Sequence, residues 1–190
     1  AQCHDHKYDP FSQKDYYSLL AFFNNTKEVG YEGDVGVSKP AKMPKMSIDS
    51  NDRKNLLSFM YNKDTGTLSV SVMGERDTVR KSYLLKRGRY DMPGDEVRPN
   101  ALPAVMKYDT VEYPRNRMGL AKWTVSRNNP LTARVFVNQI WQEFFGRGIV
   151  KTAGDFGMQG ELPTHPELLD WLAVDFMDHG WDIKRLVKQI

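Results

Sequence analysis

The residues best suited to chemistry stand at the start of the chain, in the run Ala1-Gln2-Cys3-His4-Asp5-His6-Lys7. Cys3-His4 is the second half of C-x-x-C-H, a spacing in which two thiols bond covalently to haem and the adjacent His binds its iron. The first thiol of such a motif falls immediately before Ala1. Two other readings stay open on these residues alone. A Cys-His dipeptide without a second Cys is usually a buried thiol that happens to lie beside a surface imidazole. Cys3, His4 and His6 are also acceptable zinc donors, although a zinc site normally draws on a second cluster farther along. His165 and His179 are the remaining histidines. Both read as structural, one in a capping turn and one at a helix C-terminus, where the dipole favours a cation. A single Cys excludes an internal disulfide framework.

A second set of candidates is helical. Between Pro130 and Phe145, the residues Ala133, Val137, Ile140 and Phe144 make an apolar stripe. Arg134, Asn138, Trp141 and Phe145 run beside it at i, i+4, i+7 and i+11. Arg offers a planar fork and Trp a stacking face, so Arg134, Asn138 and Trp141 form a possible binding stripe for a sugar or carboxylate. The competing reading is that Arg134 and Asn138 tie the helix to the loop after Gly146 by satisfying its backbone groups. Asp155 and Glu161 flank a glycine-rich turn that matches no phosphate-loop spacing. No G-x-S-x-G is present to support serine hydrolysis.

The elements that must position these residues follow from local signals. Ser12 to Asp15 reads as a capping box opening a short helix, with Leu19, Leu20 and Phe23 on its apolar face and Asn24-Asn25 ending it. Gly30 to Ser50 has no steady period and reads as a loop, and Asn51 to Asn62 as a short helix. Leu68, Val70 and Val72 alternate with polar residues as in a half-buried strand, and a second strand is expected from Ser82 to Lys86. Pro93-Gly94 is a turn signal. These pieces predict one small antiparallel unit. From Asn116 the chain reads as helical, with Asn116, Asn129, a Thr164/Glu167 capping box and Asp182 as the four starts, and Gly146 and Gly180 as stops. The third of these helices presents Leu168, Leu169, Leu172, Ala173 and Phe176 to a core. The fold class expected is α+β, mainly α, with an incomplete bundle-like C-terminal part.

The chain has 190 residues, 40% hydrophobic, 12% aromatic and 27% charged, with a net charge of +3. That composition is globular rather than disordered. The charge is small and scattered, which argues against nucleic acid, and no apolar run reaches the ~20 residues needed for a membrane span. An absent initiator Met, no leader peptide, and a last helix (Ile183, Leu186, Val187, Ile190) with no stop signal predict a piece of a larger protein.

Longer motifs carry a resemblance. Cys3-His4-Asp5-His6-Lys7-Tyr8-Asp9-Pro10, then Ser12-Gln13-Lys14-Asp15-Tyr16-Tyr17 and Phe22-Phe23-Asn24-Asn25-Thr26, resemble the end of the cytochrome-like PSCyt domain of planctomycete cytochrome-associated proteins of unknown function. Asn128-Asn129-Pro130-Leu131-Thr132-Ala133-Arg134-Val135, then Gly146-Arg147-Gly148, Asp155-Phe156-Gly157 and Thr164 to Leu172, resemble the start of the PSD domain that follows it. The resemblance implies a domain end at 1–27, a variable linker at 28–65 and the start of PSD at 66–190, with a β section at 66–100 and helices at 116–190. Such proteins look secreted or periplasmic, often with a separate cytochrome c domain upstream, and typically carry Cys just before Ala1. The implied cofactor is haem c, with Cys3 as thioether anchor and His4 as iron ligand. Met43 and Met46 are candidates for the sixth ligand, and His6 takes a hydrogen-bonding role. The expected function is therefore an extracytoplasmic, c-type-cytochrome-like, redox-associated one. A redox partner or the upstream cytochrome c domain is the expected partner. The alternatives are a secreted polysaccharide-binding or polysaccharide-degrading protein and a structural surface protein.

Overall fold

A computed structural model of the protein describes residues 1–27, 43–49, 51–52 and 68–190. In chain order the elements are α1 (Gln13–Leu20), β1 (Lys45–Ile48), β2 (Leu68–Ser71), β3 (Ser82–Leu85), β4 (Pro93–Val97), α2 (Arg117–Thr124), α3 (Thr132–Phe145), α4 (Pro166–Asp178) and α5 (Ile183–Gln189). The architecture is α+β and mainly α, as expected. The helix expected at Asn51 to Asn62 lies, beyond its first two residues, outside the described residues. By compactness the chain divides into two units, Ala1–Phe23 with Lys81–Ile190, and Asn24–Arg80.

In the larger unit the helix caps do what their residue types predict. Ser12 Oγ accepts the Asp15 N–H (3.1 Å) and Asp15 returns a carboxylate oxygen to the Ser12 N–H (2.9 Å), a reciprocal box. Asn116 accepts the Gly119 N–H at 2.9 Å and Asp182 accepts the Arg185 N–H at 3.0 Å. Asn129 Oδ1 takes the N–H groups of Leu131 (3.0 Å) and Thr132 (3.3 Å) and so starts α3. Gly146 ends it in the left-handed region, φ 71°. The box expected from Thr164 and Glu167 does not form. Thr164 instead gives both its N–H (2.9 Å) and its hydroxyl (3.2 Å) to the Ile149 carbonyl, and Pro166 starts α4 without a side-chain cap.

Two cores hold this unit. One is aliphatic, built from Val137, Ile149, Val150, Leu169, Leu172, Phe176 and Leu186. There α3 packs on α4, with Phe136 stacked on Phe176 at 5.2 Å. The other is aromatic, uniting Phe22 with Ala101, Tyr108, Tyr113 and Trp123. Phe144 departs from the expected apolar stripe and is exposed. The loop after Gly146 returns along α3 to bond Asn138 through Val150.

The β section also differs from expectation. β3 pairs antiparallel with β4, and β2 pairs antiparallel with β1 (Lys45↔Ser71 to Ile48↔Leu68), so β2 and β3 belong to separate sheets. Pro93 opens β4 instead of turning the chain. The first position of a strand tolerates a residue with no N–H to give. The turn is made upstream, where Arg87 (φ 53°) and Gly88 (φ 74°) take left-handed conformations. β1 falls inside the stretch read as a loop. Lys45, Met46 and Ser47 are all exposed, so no inside–outside alternation marks the strand. Within the smaller unit, Asn25 adds a side-chain tie, accepting the Arg80 N–H at 3.1 Å.

Candidate functional site: the Cys3-His4 loop

The loop from Gln2 to Phe11 lies outside the helices and strands, yet hydrogen bonds fix most of it. Asp5 Oδ1 accepts the Gln13 N–H at 2.7 Å, helping to anchor the start of α1. His6 Nδ1 accepts the Asp9 N–H at 2.9 Å, which assigns its ring proton to Nε2. The backbone closes the loop, His6 N–H on Phe11 O and Phe11 N–H on Asp9 O, both 2.8 Å. Asp9 Oδ1 in turn accepts the Met158 N–H at 2.8 Å. Asp5, His6 and Asp9, all prominent in the sequence motif, are therefore occupied in holding the loop.

The backbone just before Cys3 is clamped. Gln13 Nε2 donates to the carbonyls of Gln2 (2.8 Å) and Leu85 (3.0 Å), and the Tyr17 hydroxyl donates to Gln2 O (3.1 Å). Tyr17 is buried, and burial, with smaller contributions from Tyr16 and Cys3, raises its phenol above the ordinary 10.0. Behind the thiol sits the Arg87-Gly88 turn. A Cβ on Gly88 would lie 3.0 Å from Cys3 Sγ, and its φ of 74° disfavours a side chain as well. Gln13, Tyr17 and Gly88 thus position Cys3. Gln13 and Tyr17 lie in the family-like motif, but nothing in residue type or period marks any of the three as neighbours of the thiol.

Cys3 and His4 themselves remain exposed. Cys3 is a free thiol. His4 makes one hydrogen bond, Nδ1 to the Asp5 carbonyl at 2.7 Å. A carbonyl only accepts, so Nδ1 carries the proton and the Nε2 lone pair is available to a metal. This is the arrangement by which a backbone carbonyl sets a ligating imidazole. Among the described residues no three His, Cys, Asp or Glu side chains gather in a way that would hold a metal ion, so Cys3, His4 and His6 do not form a zinc cluster. For haem the donor chemistry fits, with a thiol and an imidazole side by side. Met43 and Met46 are exposed residues of the smaller unit.

The Arg134, Asn138 and Trp141 stripe divides in three. Asn138 is fully buried, with Nδ2 on Val150 O (3.0 Å) and Oδ1 on Val150 N–H (2.8 Å). Arg134 pairs through Nε with Asp170 on α4 (2.5 Å), holding that carboxyl below its usual range. Trp141 packs against the aliphatic core and Phe145, ring centres 4.5 Å apart. His165 stands before α4 with Nδ1 3.0 Å from Thr164 Oγ1, and His179 Nδ1 lies 2.8 Å from Asp175 O at its end.

Comparison with known families agrees with the order of motifs. Residues 1–28 match PSCyt2, a protein family of unknown function (DUF1549), and residues 116–190 match PSD1, likewise of unknown function (DUF1553). A PSCyt2 segment is thus followed by a PSD1 segment, as the motifs predict. No curated protein and no solved structure matches the chain. No helix among the described residues is long and apolar enough to cross a membrane.

Proposed function

We propose that Cys3 and His4 are the downstream half of a c-type haem attachment site, and that the protein serves an extracytoplasmic, redox-associated role. One observation carries the reading. Within the Cys3 to Asp9 motif, Asp5, His6 and Asp9 hold the loop, whereas the Cys3 thiol is free and His4 keeps Nε2 open. Cys3 would hold the cofactor by a thioether and His4 through Nε2, while Gln13, Tyr17 and the Gly88 turn keep the thiol in place. Haem would supply a one-electron couple at its iron. In the family that the sequence resembles, the first thiol of the motif typically comes from the position just before Ala1.

The test is covalent haem on the protein carrying that upstream residue, exported to a periplasm with haem-maturation machinery. The reduced pyridine spectrum of the denatured protein is expected to contain a haem band, and Cys3→Ala is expected to weaken or abolish it. A protein that folds and carries no covalent haem overturns the reading.

A further inference from the structure

Where α3 meets α4, away from the Cys3 loop in sequence, the surface forms an open cleft of about 220 Å³. Arg127, Asn128, Asn129 and Arg134 form its polar side, and Pro130, Ala133 and Met177 are among its apolar lining. Asn129 is only 5% exposed. Its Oδ1 is used in capping α3, and its Nδ2 has no acceptor among the described residues. Every fully enclosed side-chain nitrogen or oxygen among the described residues has a partner, so this Nδ2 is not enclosed. The opening that Asn129 lines is the cleft. That amide donor faces the cleft and is open to a bound acceptor in place of water.

The arginines add further donors. Arg134 uses Nε on Asp170 and Nη1 on the Pro130 carbonyl, leaving Nη2. Arg127 uses Nη1 on Asp178, leaving the Nε–Nη2 edge, the side of the guanidinium that grips a carboxylate with two parallel bonds. No carboxylate lines the cleft. The two guanidiniums and the Asn129 amide therefore favour a charged group rich in acceptors. A sugar hydroxyl is neutral and offers the guanidiniums no charge to pair with. Phosphate is polar on every side, whereas much of this wall is apolar, and the two guanidinium charges are already partly balanced by Asp170 and Asp178.

We propose that the cleft binds a small organic carboxylate. Its oxygens take the spare N–H groups of Arg127, Arg134 and Asn129, and its carbon body lies against Pro130, Ala133 and Met177. The site is independent of the haem reading and is tested on the 190-residue chain as it stands. Titrating butyrate into the ¹⁵N-labelled protein is expected to shift the Asn129 side-chain amide. Butyramide, of matched shape but uncharged, is expected to bind at least about tenfold more weakly, the scale of one charge-assisted hydrogen bond. Asn129→Asp keeps a capping oxygen for α3 and replaces the free donor by an acceptor, so the protein folds and butyrate binding is lost. Equal affinity for butyrate and butyramide overturns the proposal. So does undiminished butyrate binding by a folded Asn129→Asp, or displacement of butyrate by equimolar inorganic phosphate.

Discussion

The aliphatic core around Val137 is assembled from one continuous stretch of chain, running from α3 through α4 to Leu186. The aromatic core around Trp123 is not. It recruits Phe22 from the PSCyt2 segment and joins it to residues 101–113, ahead of the PSD1 match, and to Trp123 within it. The first core is made by neighbours along the chain, the second by partners that meet only after the whole Asn24–Arg80 unit has been passed. Family boundaries and packing boundaries are therefore different things in this protein. The end of one family segment is a working part of the core beside the next.

The sharpest way to break that comparison is Phe22→Ala. Phe22 is 2% exposed, and truncating a buried Phe to Ala typically costs about 3–5 kcal/mol. Urea unfolding monitored by tryptophan fluorescence is expected to show that loss; a loss below about 1 kcal/mol would mean the aromatic core does not depend on the N-terminal segment. Asn138→Ala tests the contiguous core. It leaves the N–H and C=O of Val150 without partners, at about 1–3 kcal/mol for each buried group, so a destabilisation of roughly 2–6 kcal/mol is expected in the same assay.

Smaller effects sharpen the picture. Asn116→Ala removes the cap on α2 and should cost about 1 kcal/mol, read as a shift in the urea midpoint at constant slope. The smallest concerns the Arg134–Asp170 pair. Its hydrogen bond to Arg134 sets the folded Asp170 carboxyl below the ordinary 3.8. The resulting stability is present above that value and is lost as pH falls through the lower folded value. Arg134→Gln should therefore flatten part of the acid limb below the ordinary 3.8, by less than about 1 kcal/mol because the Asp170 side chain is half exposed.

The comparison also explains what the residues made legible. Caps at Ser12, Asn116, Asn129 and Asp182 could be read because each acts within three positions of itself. The core face of α4 could be read because Leu169, Leu172, Ala173 and Phe176 repeat with the helix. Strand partners could not. β1 is exposed along most of its length, so nothing in its pattern singles it out as the mate of β2. Thr164 looked like a cap and was drawn instead to the Ile149 carbonyl, fifteen positions back. At the site, Cys3 and His4 stood out by type and adjacency. Their support by Gln13, Tyr17 and Gly88 depends on a β-hairpin far along the chain, and no local pattern encodes it.

The bond from the Met158 N–H to Asp9 joins positions 149 residues apart, and it has a consequence for the order of events in the cell. At about 5–20 residues per second, a ribosome needs roughly 7 to 30 s to go from one to the other. For the part of that interval before Trp123 is made, Phe22, buried in the finished protein, has no completed core to enter. The helices from α3 onward can settle among themselves as soon as they are made. On refolding, pulsed hydrogen exchange should accordingly protect α3 and α4 before α1. The residues that come first off the ribosome wait for partners made about a hundred positions later, and a newly made chain passes through a stage in which its oldest part is also its stickiest.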